Sequence, residues 1–145
     1  MEPSIVLFVD DEEKVLSALR RAMEGEEALV CRFAGGGEEA LRILHETPCK
    51  VVMSDVKMPG MHGLELLGRV KQLYPNIVRA VLSGHADIKL VLDAVNQGGI
   101  DRYLTKPWED DEVAATLRQC IELFDLRQER DMLKEELAAL REKGA

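Results

Sequence analysis

Four short, mainly apolar runs and a fifth, more polar one, each followed by a segment of helical period, constrain this chain more than any other feature. The first is Ile5-Val6-Leu7-Phe8-Val9. It ends at Asp10-Asp11 and gives way to Val15, Leu16, Leu19, Ala22 and Met23 at helical spacing. Leu29 to Phe33 reads as a second strand, closed by Gly35-Gly36-Gly37, and Ala40, Leu41, Ile43 and Leu44 make a short helix. Val51-Val52-Met53 is a third strand, ending at Ser54-Asp55. A loop with Pro59, Gly60 and Gly63 leads to the stripe Leu64, Leu67, Val70, Leu73 and Tyr74, which Pro75-Asn76 breaks. Ile77 to Leu82 is a fourth strand, ending at Ser83-Gly84. Ile88, Val91, Leu92 and Val95 share one helical face after it, and Gly98-Gly99 stops that helix. Ile100 to Thr105 is a fifth, more polar strand, expected at a sheet edge and closed by Lys106-Pro107.

Strands that are unbroken apolar runs are buried on both faces, which requires a parallel sheet with helices on each side. Right-handed crossovers then give a three-layer α/β sandwich. With 145 residues the chain is long enough for one full core and too short for two ordinary domains. No apolar run approaches the roughly 18 residues of a membrane span. The N-terminus lacks a basic region and a cleavage site, so no secretory signal is expected and a cytoplasmic location is. A net charge of −8 speaks against nucleic-acid binding by this segment. Cys31, Cys49 and Cys120 are odd in number and far apart, and are expected to be buried thiols rather than a disulfide or metal framework.

Ligands of a parallel α/β sheet bind beyond the carboxyl ends of its strands. The polar residues there are Asp10 and Asp11, Asp55, Ser83 and Lys106, from strands one, three, four and five. Taken singly each has an ordinary explanation: a helix-capping acidic pair, turn residues, a surface lysine. Together, three carboxylates, a hydroxyl and an ammonium at one rim point to phosphoryl chemistry. Clustered carboxylates raise one another's pKa, and a hard divalent cation such as Mg2+ resolves the repulsion with oxygen ligands. A carboxylate can itself be the nucleophile and form an aspartyl phosphate, with the metal and Lys106 neutralising the phosphoryl oxygens.

The blocks LFVDDE, SDVKMPGMHG, VLSGHAD and YLTKPW resemble, in order and position, the receiver domain of two-component response regulators, over residues 4 to about 122. The resemblance implies a flavodoxin-like (βα)5 sheet in strand order 2-1-3-4-5. It implies that Asp55 is the phosphoacceptor. Mg2+ would be bound by Asp10, Asp11, Asp55 and the backbone carbonyl of Lys57. Ser83 would be the switch hydroxyl, Lys106 the phosphoryl contact, Tyr103 the aromatic switch residue, and Lys106-Pro107 a cis peptide. It further implies a sensor histidine kinase or phosphotransfer protein as partner, and a regulatory role in which the chain catalyses only its own phosphorylation and dephosphorylation. The block around RYLTKPW resembles receivers often joined to HD-GYP phosphodiesterases. His62 stands where the family usually has Asp or Asn, and is expected to be an exposed loop residue. Lys57 and His85 are expected to flank the phosphoryl group, although His85 has solvent as an equal alternative. Trp108 is either at the rim of the metal site or an anchor for the last helix. Two other classes compete. A phosphohydrolase of the haloacid-dehalogenase type needs Asp-x-Asp where this chain has Asp10-Asp11, and no cap insertion exists. A pseudo-receiver scaffold would not need all five site residues.

From Glu109 to Lys143 run 35 residues without Pro or Gly, although a helix covering one sheet face needs only about 14 to 16. Residues 1–122 are thus expected to form the receiver and 123–145 a coiled-coil extension. With a at 123, 130 and 137 and d at 126, 133 and 140, the seam is Leu123, Leu126, Arg130, Leu133, Leu137 and Leu140. The g positions are Glu122, Glu129 and Glu136; the e positions are Arg127, Lys134 and Arg141. That pattern matches g to e in a parallel homodimer through residues 122–142, and repels in an antiparallel one. A solitary amphipathic helix is the alternative.

Overall fold

The computed structural model describes residues 2–144. The elements alternate as the hydrophobic pattern requires: β1 (Ser4–Val9), α1 (Glu13–Ala22), β2 (Leu29–Ala34), α2 (Gly37–Glu46), β3 (Val51–Ser54), α3 (Gly63–Leu73), β4 (Val78–Ser83), α4 (Ile88–Asn96), β5 (Arg102–Thr105) and α5 (Asp110–Gly144). All strands are parallel, in order β2-β1-β3-β4-β5. The flavodoxin-like arrangement is therefore the observed one.

Every residue of β3 and β4 is buried, as the apolar runs demand. Alternate side chains feed two cores. Leu7, Val9, Val52 and Val81 pack under α2, α3 and α4; Val6, Phe8, Met53 and Leu82 pack under α1 and α5. The more polar strand β5 lies at one edge and β2 at the other. On β2, Cys31 is only half-buried, unlike Cys49 and Cys120; burial pushes all three thiols up to about 11.

Some boundaries differ from the sequence pattern. A 3-10 turn, His85–Asp87, separates β4 from α4. Strand β5 starts at Arg102 rather than at residue 100, because Ile100 is drawn into the core and the Asp101 carboxylate accepts from the Arg79 amide at 2.9 Å. Helix α5 is continuous over 35 residues. Val113, Ala114, Leu117 and Cys120 bury against the sheet, and polar contacts to the domain run on as far as Asp131. No helix among the described residues is long and apolar enough to cross a membrane.

Candidate functional site

The sheet's hydrogen bonding continues one residue past the strands, and this fixes the site. The Asp10 amide donates to the Ala34 carbonyl (3.1 Å), the Asp55 amide to the Val9 carbonyl (2.9 Å), and the Lys106 amide to the Ser83 carbonyl (2.9 Å). Asp10, Asp55 and Lys106 are thereby held at the carboxyl ends of β1, β3 and β5. The Lys106 ammonium stands between the two carboxylates, 2.9 Å from Asp10 Oδ2 and 3.3 Å from Asp55 Oδ2. The other carboxylate oxygens take backbone amides: Glu12 on Asp10 Oδ1 and Val56 on Asp55 Oδ1, at 2.9 and 2.8 Å. Asp11, exposed, completes a set of carboxylate oxygens that lie within 4.8 Å of one another.

One ammonium does not fully answer this charge. Burial lifts the Asp55 carboxyl above its ordinary value; the Lys106 charge opposes the rise and the Asp10 charge adds to it. Burial alone would lower Lys106, yet the hydrogen bond and charge of Asp10, with those of Asp55, leave it above its ordinary value. An all-oxygen donor set with excess negative charge fits a hard divalent cation such as Mg2+. Asp10, Asp11 and Asp55 are the carboxylates that could hold it.

The loop after β3 is shaped by glycine. A side chain at Gly63 would collide with the backbone carbonyl of Asp55, and the Gly63 amide donates to the Val56 carbonyl at 2.7 Å. Gly60 turns the loop at φ +77°, a conformation that L side chains rarely adopt. His62 is not a free loop residue. It is the N-cap of α3, its Nδ1 accepting from the Leu64 amide at 3.4 Å, which accounts for its place where Asp or Asn is usual.

The remaining expected residues fall around this centre. Ser83 is buried, and its hydroxyl donates to Asp87 Oδ2 at 3.2 Å. The Lys57 side chain is turned toward Asp87, with its ammonium 3.2 Å from Oδ1. His85 is exposed, as is Tyr103. The Lys106–Pro107 peptide is cis. Trp108 packs with the α1/α5 core and donates from Nε1 to Asp110 at 3.1 Å, the geometry of a helix anchor. Asp87 was given no role by the sequence. The only hint was its place inside the VLSGHAD block. A largely apolar groove of about 470 Å3, lined by Leu44, Pro48, Tyr74, Ile77 and Phe124, lies at the opposite, amino-terminal end of β3 and β4 and contains none of these residues.

Residues 6–118 match the family described as response regulator receiver domain. The hydrogenase transcriptional regulatory protein HoxA of Cupriavidus necator is 37% identical over 132 residues, 91% of this chain and 27% of its own length. The DNA-binding transcriptional regulator NtrC of Escherichia coli is 35% identical over 129 residues, 89% of this chain and 27% of its own. The chain thus spans about a quarter of the length of these curated relatives. Among solved structures, the signal receiver domain of an HD domain-containing protein from Pseudomonas fluorescens superposes with a TM-score of 0.83 at 35% identity, covering 90% of this chain and 95% of that one. Members of this family bind Mg2+ at acidic residues and are phosphorylated on an aspartate by histidine kinases or phosphotransfer proteins. The strand order, the rim of acidic residues around a lysine and the match over most of its length place this chain in the response regulator receiver domain family of two-component signalling.

Proposed function

We propose that Asp55 is the phosphoacceptor of this receiver, and that Mg2+ is held by Asp10, Asp11, Asp55 and the backbone carbonyl of Lys57. The observation that carries this reading is the Lys106 ammonium set between Asp10 and Asp55, at the carboxyl ends of β5, β1 and β3. A divalent cation held by these residues would offset the carboxylate charge and supply Lewis-acid chemistry to the phosphoryl group. Asp55 supplies the nucleophilic oxygen. As its bond to phosphorus forms, the bond from phosphorus to the donor's leaving atom breaks. The Val56 amide and Lys106 keep the Asp55 carboxylate oriented, and Lys106 stays close enough to pair with a transferred phosphoryl oxygen. Ser83 would then donate its hydroxyl to that group, and Tyr103, now outward, would follow it. The chain acts on itself, with a sensor histidine kinase or phosphotransfer protein as donor. Incubation with Mg2+ and a small phosphodonor, followed by intact mass, tests the assignment. Wild type gains one phosphoryl group and Asp55→Asn gains none; equal labelling of the two proteins overturns it.

The signal would leave through α5, with residues 122–142 forming a parallel two-stranded coil between copies. Leu126, Leu133, Leu137 and Leu140 are 49–66% exposed and have no place in the domain's own core. Residues 120, 124, 127 and 131 face the domain, about 100° around the helix from the Leu seam, whose leucines are open to a partner from Leu126 onward, while Leu123 packs against the α1/α5 core. Two of the three charge pairs, Glu129 with Lys134′ and Glu136 with Arg141′, are free to form. The remaining pair, Glu122 with Arg127′, is contested, since Arg127 is already bound to Asp101 at 2.7 Å. A regulator output of the kind HoxA and NtrC carry is supported by their identity to this chain. An HD-type output is supported by the RYLTKPW block and the Pseudomonas fluorescens receiver.

A further inference from the structure

We propose that Asp87 is a positioning residue that holds the Ser83 hydroxyl away from the phosphoryl site and must release it when Asp55 is phosphorylated. This rests on the assignment of Asp55 as acceptor and Ser83 as its hydroxyl partner. Asp87 stands at the N-cap of α4, where aspartate normally accepts from the helix's own first amides. Here its side chain makes no capping bond and is turned inward instead. Asp87 Oδ2 accepts from Ser83 at 3.2 Å, with both residues buried. Among the described residues Asp87 Oδ1 has no hydrogen-bond donor; the Lys57 ammonium lies 3.2 Å away as a charge partner without hydrogen-bond alignment. Lys57 sits two residues past Asp55, so the latch joins the acceptor loop to the start of α4.

The logic is one of competition. A serine hydroxyl has a single proton to donate. Given to Asp87, it is not available to a phosphoryl oxygen. A phosphoryl group at Asp55 offers a stronger acceptor and wins the proton, but only after the bond to Asp87 breaks. Asp87 therefore lowers the affinity of the site for a phosphoryl group by the worth of that bond. Breaking it also frees the residue that precedes α4, so the change is delivered directly to a helix.

Beryllofluoride with Mg2+ serves as the phosphoryl probe, its binding followed by fluorine NMR on the full chain. Asp87→Ala should tighten binding about tenfold, the worth of a hydroxyl–carboxylate hydrogen bond. Asp87→Asn keeps the shape and a neutral acceptor, and should fall between the two; it also guards against misfolding of the alanine variant. Combined with Ser83→Ala, the Asp87→Ala change should have almost no effect, because no hydroxyl remains to be released. Equal tightening with and without Ser83 would show that Asp87 acts only through its charge and would overturn the proposal. So would unchanged affinity in both Asp87 variants. No beryllofluoride binding by the wild type would instead overturn the assignment of the site, and the latch with it.

Discussion

At Gly63 a single missing side chain decides how tightly the acceptor loop closes. A Cβ there would meet the Asp55 carbonyl, so Gly63→Ala must push the loop off Asp55. The expected cost is about 2 kcal/mol, typical of overpacking, with slower phosphorylation; urea unfolding and labelling rates check both. His62 shows what a sequence hides at this scale. Its imidazole caps α3, but histidine is not among the usual capping residues, so the pattern offered no sign of it. Asp101 was equally silent, because its partners Arg79 and Arg127 are distant in sequence. Burial works to raise its carboxyl, yet hydrogen bonds from Arg127 and the Arg79 amide, with both guanidinium charges, hold it below the ordinary carboxylate value. A carboxylate depressed in the folded state stabilises the fold above its unfolded pKa, about 3.9, and that contribution is lost as pH falls through the lower folded value. Asp101→Asn should therefore cost about 3 kcal/mol at neutral pH, since it leaves Arg79 buried with less charge compensation. The gap from wild type should narrow in acid. Urea midpoints at neutral and acidic pH measure it.

Helix α5 was legible in part. The run without Pro or Gly and the heptad of Leu, Glu and Lys/Arg predicted its length and its apolar seam, and the helix does run unbroken from Asp110 to Gly144. What the heptad did not reveal is how far the domain grips the helix. Lys50 pairs with Asp125 at 2.8 Å, Asn76 donates to Gln128 and Asp131, and Arg130 bends back to Asn76 Oδ1 at 3.3 Å. Such contacts join residues more than fifty positions apart and leave no local periodicity. They divide α5 into a gripped part and a projecting part of about 20 Å after Asp131. Removing residues 132–145 should thus weaken dimerisation sharply while leaving thermal stability of the domain nearly unchanged. Arg130→Leu should strengthen self-association, by extending the Leu seam and removing the side chain that bends back to Asn76. Sedimentation velocity over a concentration series separates these outcomes. Equal dimer affinity with and without residues 132–145 would contradict the coil.

For the whole molecule, the strands were the most legible part, because β3 and β4 are buried on both faces and are apolar apart from Arg79 and the serines at their ends, Ser54 and Ser83. The site was legible for a related reason. A parallel sheet gathers the ends of its strands at one rim, so Asp10, Asp55 and Lys106 meet there although nearly a hundred residues separate the first from the last. Asp87 closes a 3-10 turn rather than sitting at a strand end, and its contact with Ser83 depends on that turn's local geometry. Every later step of the switch depends on which carboxylate carries the phosphoryl group. After phosphorylation with Mg2+ and a small phosphodonor, borohydride reduction of the acyl phosphate marks the acceptor, and peptide mass spectrometry locates it. The mark is expected at position 55 and to be lost in Asp55→Asn. A mark at Asp10 or Asp11 of the wild-type protein, or none at all, would contradict the account.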